Sequence, residues 1–247
     1  MASAPATTQP QTTGGLPAPA AVAQQYVNFA FYKAEAAWRR LDAATRAAGR
    51  REFAEVCKRY REQGVIQVYY SLVGIRGDCD LMIWRISEDL PKFQAMTVEL
   101  LETGLGKYLT TPYSLLSMTK RSTYIDKVDP SHDESRTRIR PGKYKYIFIY
   151  PFEKKREWYL LSKQARQGIM DEHIEVGNRY RSVKLNTTYS FGLDDQEFVV
   201  AFETDYPNDF LDLVMELRET EGSRYTLRDT PIFSCMRMGL DEMLNAV

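Results

Sequence analysis

The chain has 247 residues, 33 Lys+Arg against 33 Asp+Glu, and 44% hydrophobic residues. That length can bury a sizeable core in one or two domains, while the balanced charge argues against a nucleic-acid or anionic-membrane surface as the main partner. Three cysteines (Cys57, Cys79, Cys235) lack metal-ligand spacing and only two histidines are present, which excludes a His-rich metal site and suggests buried thiols in a reducing compartment.

Residues 1–23 are mostly Ala, Pro, Thr, Gln and Gly, and are expected to form a disordered tail. They lack the basic start and apolar run of a signal peptide, and no later stretch approaches the ~20 apolar residues of a membrane span. A soluble, cytoplasmic protein is expected. Tyr26–Tyr32 is aromatic and β-branched enough for a strand. Ala34–Gln63 reads as helix, with a break near Gly49. Val65–Val73 and Leu81–Ile86 read as strands joined across Gly77-Asp78. Ser87 is a plausible N-cap for a helix that carries Pro91 in its first turn and runs to about Gly104. Pro112–Met118 reads as the closing strand. In the second half, Lys143–Pro151 is the most strand-like stretch, Lys154–Asn178 reads as helix, and Leu185–Phe191 and Glu197–Glu203 form a hairpin across Leu193-Asp194-Asp195. Asn208–Thr220 reads as helix and Pro231–Met238 as strand.

The two halves share more than element order. Tyr70-Ser71…Gly74…Asp78 parallels Tyr189-Ser190…Gly192…Asp194, and Glu99-Leu100-Leu101-Glu102-Thr103…Tyr108 parallels Glu216-Leu217-Arg218-Glu219-Thr220…Tyr225. The expected fold is therefore α+β: duplicated ferredoxin-like βαββαβ units forming an antiparallel β-barrel flanked by helices. The expected divisions are an N-terminal repeat at 24–120, a charged linker at 121–141 and a C-terminal repeat at 142–247. Since the halves share a scaffold, chemistry found in one was added to it.

The added feature is His173, alone in the helix of the second repeat. Ile169, Met170, Val176 and Gly177 share its helical face. It reads either as a core histidine satisfied by a backbone carbonyl, or as an axial ligand to haem iron from a helix facing an apolar cavity. Tyr150 ends the strongest strand, ahead of Phe152, Lys154, Lys155 and Arg156. It reads either as sheet filler or as a redox tyrosine beside cations that hold a carboxylate. Trp158 and Tyr159 fit packing at a helix start. Glu221 and Ser223 follow the last long helix, where they could cap it or reach a pocket. No phosphate loop or Ser-His-Asp arrangement is present.

Taken together, Tyr150-Pro151-Phe152-Glu153-Lys154 with Trp158-Tyr159, Glu172-His173…Gly177…Tyr180, and Thr187-Thr188-Tyr189-Ser190-Phe191-Gly192-Leu193-Asp194-Asp195 resemble the chlorite dismutase superfamily, closest to its coproheme decarboxylase branch. The resemblance covers the chain from about residue 24. It implies a homopentamer whose second half binds haem b or Fe-coproporphyrin III (coproheme), with His173 as the proximal iron ligand. It implies that Tyr150 becomes a radical, that Lys154, Arg136 and Ser223 serve propionates, that Phe152 takes the place of a methionine near the propionates, and that Trp158 lies close to the haem. Glu221 matches a carboxylate kept against the proximal histidine. The implied reaction uses hydrogen peroxide to turn two propionates into vinyl groups, giving haem b. Chlorite dismutases carry a distal arginine, and many decarboxylases a glutamine, before the Gly-Leu-Asp-Asp turn. Counting from Gly192 puts Leu185 there, and counting from His173 puts Asn186 there. The alternatives are chlorite decomposition and haem binding without turnover on the same fold.

Overall fold

The computed structural model describes residues 24–124 and 138–247. The expected tail, His132 and Arg136 lie outside the described residues. The first half runs β1 (Tyr26–Ala34), α1 (Ala36–Arg39), α2 (Ala43–Glu62), β2 (Ile66–Ser71), β3 (Leu81–Ser87), α3 (Pro91–Glu102) and β4 (Leu109–Met118). The second runs β5 (Tyr146–Lys154), α4 (Arg156–Leu160), α5 (Lys163–Arg179), β6 (Lys184–Tyr189), β7 (Phe198–Thr204), α6 (Pro207–Glu219), β8 (Thr226–Arg228) and β9 (Phe233–Met238), followed by α7 (Leu240–Asn245).

Among the described residues the strand pairings are all antiparallel. The path β7-β6-β4-β1-β3-β2-β9-β5 returns to β7, so eight strands close into a ring and β8 extends from β5. The expected α+β barrel of two repeats is what forms. Both halves fill its interior: Phe31 of β1 stacks on Phe233 of β9 at 4.0 Å, and Phe29 stacks on Trp84 at 5.3 Å, beside buried Ile147, Ile149, Val199 and Ala201. These strands are apolar on both faces because helices cover the outside.

The two seams between the halves differ. Strand β2 pairs with β9 over three residue pairs, Tyr69↔Met238 to Ser71↔Met236. Strand β4 meets β6 at Met118↔Tyr189 alone. Side chains of the Gly-Leu-Asp-Asp turn complete that second seam. Asp194 Oδ2 accepts from the Leu116 amide at 2.7 Å, and Ser190 Oγ donates to the Leu116 carbonyl at 2.8 Å.

Three helix expectations need correction. The helix expected over 34–63 breaks at Arg40–Asp42 rather than near Gly49, because the Asp42 carboxylate caps α2 through the Thr45 amide at 2.9 Å. Gly49 stays inside α2, where it allows a close approach: a Cβ there would lie 2.7 Å from the Leu105 nitrogen. The helix expected over 154–178 breaks at the corresponding place. Ser162 caps α5 through Ala165 at 3.1 Å, and Lys154 belongs to β5. Ser87 closes β3 and turns its hydroxyl to the Asp89 amide instead of capping α3.

These breaks expose a gapless correspondence. From β1 through α2, residues map onto β5 through α5 at one constant offset, with α2 running three residues further than α5. Tyr26 maps to Tyr146, buried Trp38 to buried Trp158, and cap Asp42 to cap Ser162. Tyr60, which donates to Glu99 at 2.7 Å, maps to Tyr180, which donates to Glu216 at 2.5 Å. The packing behind the sheets does not follow suit. Helix α2 buries Phe53, Ala54, Val56, Cys57 and Tyr60, whereas Val176 is the buried residue of α5.

Candidate functional site

Behind the second sheet, alternation sets the wall. Ile147, Ile149, Val199, Ala201, Asn186 and Thr188 are buried on the barrel side. Their neighbours Phe148, Tyr150, Phe152, Phe198, Val200, Phe202, Leu185, Thr187 and Tyr189 face the helices. The ladders align Phe148↔Phe202↔Leu185 and Tyr150↔Val200↔Thr187 across β5, β7 and β6. Phe148 stacks on Phe210 of α6 at 4.3 Å, and Tyr150 lies 5.9 Å from Phe202. This face is only partly covered: Leu185, near the start of β6 and paired to β7 alone, is 50% exposed.

Opposite the wall, α5 carries His173, on the face that bears Ile169 and Val176. A Cβ built on Gly222 would lie 3.7 Å from His173 Nδ1 and 3.7 Å from Ile169 Cγ2, so the turn after α6 comes close to the ring. Among the described residues neither ring nitrogen has a hydrogen-bond partner. Burial, and then the Lys154 ammonium, push the His173 pKa down to about 4, so the imidazole is neutral at ordinary pH. In the first half the counterpart of His173 is Phe53 and that of Gly222 is Leu105, both 0% exposed. A packed apolar pair has become an imidazole beside a glycine.

Lys154 ends β5. Its Nζ donates to the Gly222 carbonyl at 2.9 Å and sits 4.7 Å from the Trp158 ring centroid and 5.2 Å from that of Phe152. Burial lowers its pKa to about 8, opposed by the Glu197 carboxylate. Trp158 is 2% exposed and also touches Tyr225 at 5.3 Å. Tyr150 stands on the same strand, its hydroxyl without a hydrogen-bond partner among the described residues. Its pKa is raised by burial and then by Asp229, which is ion-paired to Arg218. The phenol is therefore neutral.

The structure thus brings His173, Tyr150, Lys154, Phe152 and Trp158 together. Of the two candidates on β6, Leu185 stands on the wall. Asn186 turns into the barrel, where its amide donates to Glu203 at 3.0 Å, because a one-residue step changes face. Ser223 spends its hydroxyl on the Arg218 carbonyl at 2.7 Å, the capping alternative. Glu221 is exposed, with its amide 3.1 Å from Glu172 Oε2 and no bond to His173. Gly222 escaped sequence reading, although the match of Glu99-Leu100…Tyr108 with Glu216-Leu217…Tyr225 sets it against Leu105.

The residues present fit an iron porphyrin. A neutral imidazole with no bonding partner in the described structure faces an apolar wall on which Leu185 stays exposed, and it stands beside Gly222 where the first half packs Phe53 and Leu105. Among the described residues no group of three or more His, Cys, Asp or Glu could hold a metal, and no helix is long and apolar enough to cross a membrane.

Comparison with known proteins agrees with this architecture. The family Chlorite dismutase matches residues 46–238, and the chain belongs to that family. It is 29% identical over 195 residues to the coproheme decarboxylase of Mycolicibacterium smegmatis, covering 78% of this chain and 82% of that protein. To the coproheme decarboxylase of Staphylococcus carnosus it is 28% identical over 164 residues, covering 62% and 66%. The chlorite dismutase of Candidatus Nitrospira defluvii in complex with imidazole superposes with a TM-score of 0.81 at 28% identity, covering 90% of this chain and 94% of that one.

Proposed function

We propose that the chain is a hydrogen-peroxide-dependent coproheme decarboxylase. The observation that carries this reading is the substitution pattern between the halves: Phe53, Ala30 and Leu105 fill the first, whereas His173, Tyr150 and Gly222 border the gap in the second. Likeness to two coproheme decarboxylases supports it.

On this reading the C-terminal repeat (142–247) holds the porphyrin, and the N-terminal repeat (24–120) keeps a solid core. His173 offers a neutral nitrogen lone pair to the iron. The rings of Phe148 and Phe202 and the side chain of Leu185 keep water from one porphyrin face. Lys154, and Arg136 outside the described residues, would hold propionate carboxylates by charge-assisted hydrogen bonds. When bound, the iron porphyrin and hydrogen peroxide supply the oxidising equivalents. Tyr150, neutral at working pH, would give up a proton and an electron to those oxidising equivalents; its radical would take a hydrogen atom from a propionate β-carbon and return to the phenol, and a second one-electron oxidation of the propionate would release carbon dioxide. For each propionate, R–CH2–CH2–COO⁻, hydrogen peroxide and a proton give R–CH=CH2, carbon dioxide and two waters. Two rounds convert coproheme to haem b. The resemblance also leads us to infer a homopentamer, which light scattering of the purified protein would test.

The structural likeness to a chlorite dismutase favours chlorite decomposition as a second reading. Against it, the wall position expected to hold arginine is Leu185, which carries no charge to steer or bind chlorite. Incubation with coproheme and hydrogen peroxide, followed by chromatography, decides the matter. Haem b is expected, and Tyr150→Phe should bind coproheme without converting it. Bleaching alone would favour a binding protein, and rapid oxygen release from chlorite would favour the second reading.

A further inference from the structure

The pocket wall has lost a large polar side chain and kept a small one. In the first half, the row behind the sheet is Tyr69↔Ile83↔Ala30 across β2, β3 and β1. Tyr69 fills the space there: it is buried in the core beneath α2 and donates to Gln67 at 2.7 Å. In the second half the matching row is Thr187↔Val200↔Tyr150. The bulky tyrosine has changed sides. On β6 it is replaced by a threonine, and on β5 the alanine has become Tyr150.

Thr187 is half-buried, and its hydroxyl has no hydrogen-bond partner among the described residues. Its neighbour Thr188, on the barrel face, bonds the Val199 carbonyl at 3.1 Å. A β-branched side chain on a strand has few rotamers, so the hydroxyl position of Thr187 is well defined. Adjacent strands lie about 4.8 Å apart, which puts Thr187 and Tyr150 roughly 10 Å from each other across Val200. On this face Leu185, Val200, Phe202 and Phe148 offer no hydrogen bond. On β6 the polar residues of this face are Thr187 and Tyr189; Tyr189 packs its ring 5.3 Å from Phe198, whereas Thr187 lies in the row of Val200 and Tyr150, and His173 approaches from the helices opposite.

We infer that Thr187 is the residue that hydrogen-bonds a small ligand or oxidant bound to the iron on the side away from His173. This rests on the porphyrin-binding reading. The chain then meets, with a hydroxyl one alternate position along β6, a need that an arginine or glutamine would meet at the position of Leu185. Such a donor is a main control on what binds and reacts at a haem iron.

The test uses the full chain loaded with ferric haem and fluoride as probe, since fluoride on iron gains from a nearby hydrogen-bond donor. Thr187→Val removes the hydroxyl at nearly constant shape, and Thr187→Ser keeps it. Fluoride affinity, read from the absorption spectrum, should fall about tenfold or more in Thr187→Val and stay within about threefold of wild type in Thr187→Ser. Haem affinity should be unchanged in both. Equal fluoride affinity in Thr187→Val and wild type would overturn the inference while leaving porphyrin binding intact. Failure of the wild-type chain to take up haem would instead sink the proposed function, and this inference with it. Should Thr187→Val not fold, Thr187→Ala replaces it. If neither folds, Thr187 is a structural residue and the assignment is wrong.

Discussion

His173 and Phe53 occupy the same place in the two halves of the chain. Each follows the buried tryptophan of its short helix, Trp158 or Trp38, by the same interval, and each faces the turn that follows the second long helix of its repeat. Phe53 is packed within a core of aromatic and aliphatic side chains, whereas His173 faces Gly222, which offers it no side chain. The difference between a structural half and a candidate catalytic half is thus concentrated in a few side chains on one scaffold.

Returning the first half's residue to the second should separate stability from binding. His173→Phe is expected to abolish iron ligation, seen as loss of the Soret shift on adding ferric porphyrin. It should also change the acid response of the unloaded protein. The folded His173 pKa is about 4, against 6.5 ordinarily, so between those values the unfolded chain binds more protons. Stability therefore falls as pH drops through that window, by up to the order of 2–3 kcal/mol for this group. Urea midpoints at pH 7 and pH 4.5 should diverge between wild type and variant, with wild type losing more on acidification. Parallel losses would mean that the ring is not buried as described.

Gly222 can be filled deliberately. An added Cβ meets its nearest atoms at 3.6 to 3.7 Å, so Gly222→Ala should fold normally. Gly222→Leu, which restores the counterpart Leu105, should push into the space beside His173 and Ile169. Porphyrin affinity is expected to fall at least about tenfold, with thermal unfolding within a few degrees of wild type. Undiminished binding in a spectroscopic titration would place the porphyrin elsewhere.

Lys154→Met tests a buried cation. The substitution keeps the apolar stem and loses one charge-assisted hydrogen bond, to the Gly222 carbonyl. It also removes the cost of burying an ammonium whose pKa has dropped to about 8 from 10.5. In wild type that group makes stability rise with pH between those two values, because there the unfolded chain holds more protons. The two effects oppose, so stability at pH 7 should move by no more than about 1 kcal/mol. Coproheme conversion should drop sharply. A large loss of stability with conversion retained would make Lys154 a structural residue.

The weak seam offers a stability test far from the pocket. Asp194→Ala strips the Leu116 amide of its acceptor where β4 and β6 share one residue pair. A loss of about 1–3 kcal/mol is expected in chemical denaturation, and less in Asp194→Asn, which keeps an acceptor oxygen. No change would mean that water serves the amide equally well.

Much of this architecture was legible in the sequence. The strands announced themselves by aromatic and β-branched runs, and the duplication by the Tyr-Ser…Gly…Asp and Glu-Leu-x-Glu-Thr segments. The first helix break is misplaced because a glycine in a polar stretch looks like a breaker, and the second is not read at all. Gly49 is kept for close packing, while Asp42 and Ser162 are the residues that start new helices. His173 and Tyr150 could be picked out by type. Asn186 could not be assigned to the pocket or the barrel without the strand register, since neighbouring positions point opposite ways. Ser223 and Glu221 had equal claims as caps or pocket residues until their partners were known.

The apolar lining shared by both halves has a historical implication. A chain containing one repeat would leave Phe29, Phe31 and Trp84 facing water, and would have to pair with a twin to hide them. Fusion of such twins frees one from sameness: with the common interior already secure, its outer side can lose bulk and gain reactivity without unravelling the whole.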